Sequence, residues 1–197
     1  MQKNGVYLGL CLVSFMLCSC APIVLGGAAT GVVVATDRRS ASVVIDDKTL
    51  QFNVLSSLFR EKYVYQNSHI NATAYNGAIL LTGEARDQSV RQQAESIASR
   101  VAGVQRVYNY IVIGPTSSFS NRTYDTTQTA KVKTALLDVD IAGFNPSRVK
   151  VVTEHGVTYL MGLVSESESN AAIGVAQKVS GVVRVVSLFE ISEQVGN

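Results

Sequence analysis

Cys20 is the residue whose chemistry the sequence specifies most clearly. It closes the tetrapeptide Leu17-Cys18-Ser19-Cys20, which follows Lys3 and an apolar run over residues 6–17. A positively charged N-terminal region, an apolar central region and small residues at the end are typical of a secretory signal peptide. A branched apolar residue three places before the cysteine is typical of a lipobox, whose thiol takes a diacylglycerol with palmitate-like chains. The sequence therefore predicts a signal peptide over residues 1–19 and lipidation of Cys20.

The apolar start leaves two alternatives open, an ordinary signal peptide and an uncleaved membrane span. No charged residue occurs from Asn4 through Thr36, which is more than the ~20 residues that a transmembrane helix requires. Pro22, Gly31 and the Gly26-Gly27 pair interrupt the second half, and Gly and Pro weaken helix interiors. We therefore expect residues 20–44 to form a lipidated N-terminus and a flexible tether.

The residue after Cys20 bears on the destination of the anchor. Ala21 stands where an Asp would resemble an inner-membrane retention signal of bacteria with two membranes. We expect an anchor in the outer membrane, with the protein facing the periplasm. Cys11 and Cys18 would leave with the signal, so the mature fold would depend on packing without disulfides.

Other residue types that support catalysis do not combine into a recognisable site. His69 and His155 occupy nearly equivalent hairpin positions and lack ligand-spaced partners in sequence, so we expect exposed hairpin residues and no metal site. The paired acids Asp46-Asp47 and Glu166/Glu168 precede or open predicted helices, where the helix dipole favours acids. No glycine-rich phosphate loop followed by Lys-Ser or Lys-Thr occurs. We expect no enzymatic activity and no cofactor.

Charge excludes another class of function. The net charge of the 197-residue chain is +2, whereas proteins that bind nucleic acids carry a strong basic excess. We therefore expect no nucleic-acid partner. Any attraction to an anionic surface must come from local clustering of cations.

A repeat organises the chain beyond the tether. Residues 77–83 (GAILLTG) recur 79 positions later as residues 156–162 (GVTYLMG), and residues 101–107 (VAGVQRV) match residues 179–185 (VSGVVRV). A period of this length indicates a duplicated domain, because solenoid repeats run ~20–50 residues.

Each repeat is predicted to contain a helix, two strands, a second helix and a closing strand. Apolar residues at helical spacing, among them Leu58 and Phe59, open the first repeat. Asn76-Gly77 is a strong signal for a hairpin between two strands. Gly103 and Gly181 stand where a left-handed residue ends the second helix of each repeat.

This element order predicts an α+β fold of two tandem domains, each with a three-stranded sheet and two helices on one face. We expect the domains over residues 45–113 and 123–192, joined by a Ser-rich linker over residues 114–122. Residues 193–197 would form a C-terminal tail. Each domain is small enough that a single core gives marginal stability, so we expect the two to pack together.

The repeated Gly-x5-Gly hairpin, the helix after it and the helix-ending Gly-Val with a closing strand resemble the BON domain family. The resemblance begins at about Ile45 and extends to the C-terminus. Two such domains behind a lipobox resemble outer-membrane lipoproteins of this family. The resemblance implies a non-enzymatic, periplasm-facing protein that binds anionic phospholipid through its second domain and supports outer-membrane integrity.

A lipid-facing surface is predicted on the helix that opens the second repeat. Val132 and Leu136 would face the sheet, which leaves the opposite face exposed. Lys131 and Lys133 would approach phosphates, each contributing ~1 kcal/mol near an anionic membrane, and Tyr124 would add an interfacial ring. The predicted lipid-binding residues are Tyr124, Thr127, Gln128, Ala130, Lys131, Lys133, Thr134 and Leu137.

Several alternatives stay open from the sequence. Leu137 belongs either to the contact surface or to the core, and the two lysines either bind headgroups or only solvate the helix. The whole protein is either a membrane-binding module for phosphatidylglycerol or cardiolipin, or an adaptor. An adaptor would dock an envelope assembly or a peptidoglycan-associated partner through sheet edges or hairpins.

Replacing Cys20 with Ala tests the lipobox. Cells grown with labelled palmitate should label the wild-type protein and leave Cys20→Ala unlabelled, because the thiol that accepts the diacylglycerol is gone. Cys18→Ala is the control and should keep its label. Labelled Cys20→Ala protein would disprove the assignment.

Overall fold

The computed structural model describes residues 37–192. The predicted signal peptide, Cys20 and the predicted tail over residues 193–197 lie outside the described residues. Among the described helices, none is both long and apolar enough to cross a bilayer.

The first domain begins with a long helix and ends with a divided strand. Its elements are α1 (Ala41–Arg60), α2 (Lys62–Gln66), β1 (Ser68–Tyr75), β2 (Ala78–Ala85), α3 (Gln88–Ser99), β3 (Arg106–Asn109) and β4 (Val112–Ile113). The central strand β2 pairs antiparallel with β1 and parallel with both β3 and β4. Since β3 and β4 lie along the same edge of β2, they are two segments of the closing strand that the sequence predicts.

The second domain repeats this order. Its elements are α4 (Phe119–Ala135), two short 3-10 helices (Leu136–Asp138 and Pro146–Arg148), β5 (Lys150–Glu154), β6 (Val157–Val164), α5 (Glu166–Gln177) and β7 (Arg184–Ile191). The central strand β6 pairs antiparallel with β5 and parallel with β7. The predicted α+β fold is confirmed, with α2 as an additional short helix.

Both opening helices begin earlier than the sequence suggested. The hydroxyls of Ser40 and Ser118 accept hydrogen bonds from backbone N–H groups three residues further on, and so cap α1 and α4. α1 therefore starts at Ala41, inside the predicted tether. α4 starts at Phe119, inside the predicted linker, which shortens the connection between domains to residues 114–118.

Arg38 holds the end of the predicted tether against the second domain. Its guanidinium donates to both carboxylate oxygens of Glu168, at 2.6 and 2.8 Å, and to the Leu163 carbonyl at 3.1 Å. Glu168 also completes a capping box with Ser165 at the start of α5. Burial opposes ionisation, but the hydrogen bonds from Arg38 and Ser165 lower the pKa of Glu168 overall. Residues 37–40 are thus held in place.

Each domain has its own core between its helices and one face of its sheet. In the first domain, Val54 of α1 and Ala94 of α3 pack on Ile79 and Leu81 of β2. In the second, Val132 of α4 and Ala172 of α5 pack on the corresponding sheet residues. Alternate residues of a strand point to opposite faces, so each sheet has a second face that these helices leave uncovered.

The two uncovered faces pack against each other. We call this contact the seam. Its buried residues are Tyr75, Ala78, Leu80, Tyr159 and Met161, and partly buried residues such as Tyr110 and Leu188 surround them. The Tyr110 and Tyr159 rings lie 4.8 Å apart, within the range of favourable aromatic pairs. β2 is buried along its whole length because both of its faces are covered.

Polar groups fix the seam at several points. The Tyr75 hydroxyl accepts a hydrogen bond of 2.8 Å from the Leu163 backbone N–H of the other domain. The Arg39 guanidinium lies 3.7 Å from the Tyr75 ring centre, which adds a cation–π contact. Burial raises the pKa of Tyr75 to about 12, so its hydroxyl stays protonated at physiological pH.

Gly83 shows why the repeat keeps its glycines. It has φ +104° in β2, a conformation that L side chains rarely adopt, and a Cβ there would overlap the carbonyl of His69 on the neighbouring strand. The glycine therefore permits close approach of β1 and β2. Its equivalent, Gly162, is similarly crowded by the Arg148 carbonyl.

Lys150 is a largely buried cation at the seam. Its ammonium group donates to the Ala74 carbonyl of the other domain at 2.9 Å. Burial, reinforced by the neighbouring cations Lys48 and Arg39, lowers the pKa of Lys150 from 10.5 to about 8. Between these two pH values the unfolded chain binds a proton that the folded chain does not, so stability should rise with pH.

Replacing Lys150 with Met should remove that dependence. We expect the melting temperature of the wild type to rise relative to that of Lys150→Met as pH increases from 8 to 10.5. Below pH 8 Lys150 is protonated in both the folded and the unfolded chain, so the free-energy cost of burying its charge does not change with pH. Lys131→Met, at an exposed site, is the control and should follow the wild type. Parallel profiles for wild type and Lys150→Met would contradict the burial of this charge.

Candidate functional site

The predicted lipid-facing helix exists as α4 and exposes most of the residues assigned to it. Val132 and Leu136 are fully buried against the sheet, as expected. Of the predicted lipid-binding residues, those exposed to solvent are Tyr124, Thr127, Ala130, Lys131, Lys133, Thr134 and Leu137. Leu137 is 69% exposed, so it belongs to the surface and not to the core.

The two lysines lie at opposite margins of the exposed face. Successive helical residues turn by roughly 100°, so Lys131 and Lys133 flank the buried Val132 on its two sides. The strip between them carries Thr127, Ala130 and Thr134. The lysines would therefore contact separate headgroups and would not form one compact anion site.

The strip itself is less polar than its composition suggests. The hydroxyls of Thr127 and Thr134 donate to the carbonyls of Thr123 and Ala130 one turn earlier, at 3.0 and 3.1 Å. These hydroxyl hydrogens are thus satisfied by the helix, as often occurs for Thr within helices. Apolar side chains stand exposed near both ends of α4, with Phe119 79% exposed and Leu137 69% exposed.

Gln128 does not belong to this surface, so its assignment as a lipid contact is wrong. It is 1% exposed. Its amide packs against Gly181, where an added Cβ would overlap both Gln128 and the Tyr124 hydroxyl. Tyr124 is consequently held at the edge of the domain by its packing on the same glycine. The helical spacing did not reveal this, because the glycine lies more than 50 residues away in sequence.

Two aspartates have a structural role that the sequence analysis missed. Asp125 is buried and accepts hydrogen bonds from the backbone N–H groups of His155 and Gly156, at 2.9 and 3.0 Å. Asp47 does the same for Asn76 and Gly77, at 2.7 and 2.9 Å. Each opening helix thus holds the hairpin turn of its own domain.

The prediction for the paired acids was therefore incomplete. Asp47 lies within α1 and not before it, and it serves the hairpin rather than the helix dipole. The signal that would have identified this role is the repeat itself, since Asp125 follows Asp47 at the same offset of 78 that relates the helix-ending glycines.

The two histidines are not equivalent hairpin residues, which corrects the prediction. His69 lies in β1, whereas His155 lies in the turn between β5 and β6 with φ +52°. Both approach the buried carboxylate of Glu84, His69 from the first domain and His155 from the second. His155 Nε2 lies 2.8 Å from Glu84 Oε1, and His69 Nδ1 lies 3.5 Å from Glu84 Oε2.

The first domain carries a surface that no sequence pattern indicated. An open groove of about 540 Å³ runs beside α1 and α2, and Phe52, Phe59 and Tyr65 line it. Phe59, one of the apolar residues at helical spacing, is 62% exposed, and its ring packs edge-on against Tyr65 at 4.6 Å. Glu61, in extended backbone conformation, separates α1 from α2 at this point.

Comparison with known families and proteins follows the same two-domain division. The family model described as "BON domain" matches residues 46–115 and 124–193. The outer membrane lipoprotein DolP of Haemophilus influenzae is 35% identical over 190 residues, which is 96% of each chain. The 21 kDa hemolysin of Actinobacillus pleuropneumoniae is 33% identical over 153 residues, or 78% of each chain.

Among solved structures, CdsD overlaps this chain weakly. CdsD is a structural protein of the type III secretion system of Chlamydia trachomatis. The overlap covers 71% of this chain and 93% of CdsD, with 11% identity and a TM-score of 0.28. That score is too low to support an argument about fold or function.

Proposed function

The chain belongs to the BON domain family as a DolP-like protein with two BON domains, and from this premise we propose that it is a non-enzymatic outer-membrane lipoprotein facing the periplasm. Cys20 would carry the lipid, and the second BON domain would bind anionic phospholipid to support the integrity of the outer membrane. The observation that carries this proposal is the exposed face of α4, with a lysine at each margin and apolar side chains near both ends.

The name of the relative supports the location. The Haemophilus influenzae protein is an outer membrane lipoprotein, and the similarity to it extends over nearly the whole of both chains. The lipobox ending at Cys20 and the Ala that follows it agree with that location.

The geometry of α4 supports contact with a surface rather than with a single small molecule. Lys131 and Lys133 diverge on either side of Val132, and the exposed strip between them carries the short side chains of Thr and Ala. Two separated cations suit an array of phosphate headgroups, to which each basic residue contributes ~1 kcal/mol. The exposed Asp138 beside Leu137 offsets part of this charge, so the contact should be moderate and sensitive to salt.

Two kinds of attachment would then act together. The acyl chains of Cys20 would retain the protein at the membrane, while α4 would add preference for anionic headgroups. Membrane proteins anchored by lipid often combine a hydrophobic and an electrostatic signal in this way. The helix contact would determine where in the membrane the protein accumulates.

An adaptor function is the second candidate, and the groove of the first domain favours it. Phe52 and Phe59 are more than 60% exposed there, and Tyr65 beside them offers a further aromatic face. Aromatic side chains are enriched in protein–protein interfaces. In this alternative, an envelope protein would occupy the groove and α4 would remain in solvent.

Charge reversal on α4 separates the two functions. The soluble fragment over residues 37–197 should bind phosphatidylglycerol or cardiolipin vesicles in flotation, and binding should weaken as salt rises. Lys131→Glu/Lys133→Glu should keep its circular dichroism spectrum and bind roughly 30-fold more weakly or worse, since two contacts of ~1 kcal/mol are lost.

Lys48→Glu/Lys62→Glu provides the matched control. Both lysines are exposed in the first domain, and the substitution changes the net charge by the same amount. The control should lose much less affinity than the α4 variant. If both double variants lost the same vesicle affinity, overall charge and not the position of the lysines would explain the loss. Unchanged vesicle binding by the α4 variant would favour the adaptor function.

A further inference from the structure

A cluster of histidine and glutamate side chains closes one end of the seam. Glu84 comes from the end of β2 in the first domain, whereas Glu154 and His155 come from the hairpin of the second domain. One ligand atom from each of these three residues lies within 4.8 Å of the other two. Three chain segments meet here, because Ser117 of the connection between domains donates its hydroxyl to Glu84.

Glu84 is the unusual member of this cluster. It is 1% exposed, although carboxylates are rarely buried without full pairing. Its Oε1 is bound by Ser117 and His155, but its Oε2 makes no hydrogen bond within residues 37–192. The facing Nδ1 of His69, 3.5 Å away, also makes none. Two buried polar atoms that face each other without a hydrogen bond carry an energetic cost, so the Glu84 carboxylate is only partly paired.

The charges of the cluster also favour a bound cation. Glu84 and Glu154 bring two carboxylates together in a largely buried site, and Asn71 donates to Glu154 at 3.2 Å from the first domain. Within the part of the chain that the structure describes, no Lys or Arg side chain lies within ion-pair distance of either carboxylate. A divalent cation would neutralise both carboxylates at once.

We propose that Glu84, Glu154 and His155 form a zinc site that joins the two BON domains. One imidazole nitrogen with carboxylate oxygens is a ligand set typical of Zn²⁺, whereas Mg²⁺ and Ca²⁺ prefer oxygen alone. Ligand atoms around a tetrahedral zinc ion lie roughly 3.4 Å apart for metal–ligand distances of about 2.1 Å. The three donor atoms, within 4.8 Å of one another, would have to adjust to that spacing when the ion binds.

His69 has a supporting place in this site. It faces the second oxygen of Glu84 and would orient that carboxylate by donating a hydrogen bond, as groups behind metal ligands commonly do. A water molecule would complete the coordination. Since the ligands come from both domains, the ion would stabilise the seam without taking part in a reaction.

The test uses the full-length protein in detergent, purified without a polyhistidine tag and stripped of metal with a chelator. Titration with Zn²⁺ alone, followed by calorimetry, should give one saturable site per chain, and Mg²⁺ at the same concentration should give none. Saturating Zn²⁺ should raise the melting temperature by several degrees, because an ion that binds only the folded state stabilises it.

Two variants probe the ligands. Glu84→Gln and His155→Asn should each abolish the saturable site and the rise in melting temperature. Asn tolerates the left-handed backbone of residue 155, so His155→Asn keeps the hairpin even if Glu84→Gln proves unstable. His69→Asn should weaken Zn²⁺ binding about 10-fold, the lower end of the effect of groups behind metal ligands.

Glu190→Gln is the matched control at the other hairpin. Glu190 accepts a hydrogen bond of 2.6 Å across the seam from Asn76, the residue equivalent to His155. This variant should bind Zn²⁺ as the wild type does. Absence of saturable binding by the wild type, or undiminished binding by His155→Asn, would overturn the proposal.

Discussion

Contact between the outer faces of the two sheets is the interaction on which the rest of the structure depends. Each domain is too small to support a sheet with one apolar face left in water, because small domains bury a low fraction of their surface. Tyr75, Leu80, Tyr159 and Met161 therefore stabilise the fold only when the domains are paired. The duplication provides a cover for each exposed face, because equivalent strands give both domains an apolar outer sheet face and these two faces bury each other.

The seam also decides which surfaces remain available for binding. The seam covers the outer face of each sheet. The helices therefore form the exposed layers, α1 to α3 in the first domain and α4 and α5 in the second. The hairpin turns are held by Asp47 and Asp125 from their own opening helices. α4 is consequently fixed both by its core residues and by the hairpin that it caps. A headgroup contact on α4 would thus act on a helix that is held in place within its domain.

The sequence predicted the fold better than it predicted the surfaces. Element order, hairpins and helix ends follow from local signals, namely hydrophobic period, Asn-Gly and terminal glycines. The repeat made these signals stronger because each occurs twice. Burial of Gln128 and Asp47 could not be read from the helical period, since both depend on loops distant in sequence. The meeting of His69 and His155 at Glu84 depends on the seam, which no local pattern encodes.

Tryptophan fluorescence tests the central claim, that α4 and not the first-domain groove meets the membrane. The chain contains no Trp, so Thr127→Trp and Phe52→Trp each give a single probe. With phosphatidylglycerol vesicles containing brominated acyl chains, the probe at residue 127 should shift to shorter wavelength and be quenched. The probe at residue 52 should remain unquenched. Absence of quenching at residue 127 would contradict the account, whether or not residue 52 is quenched.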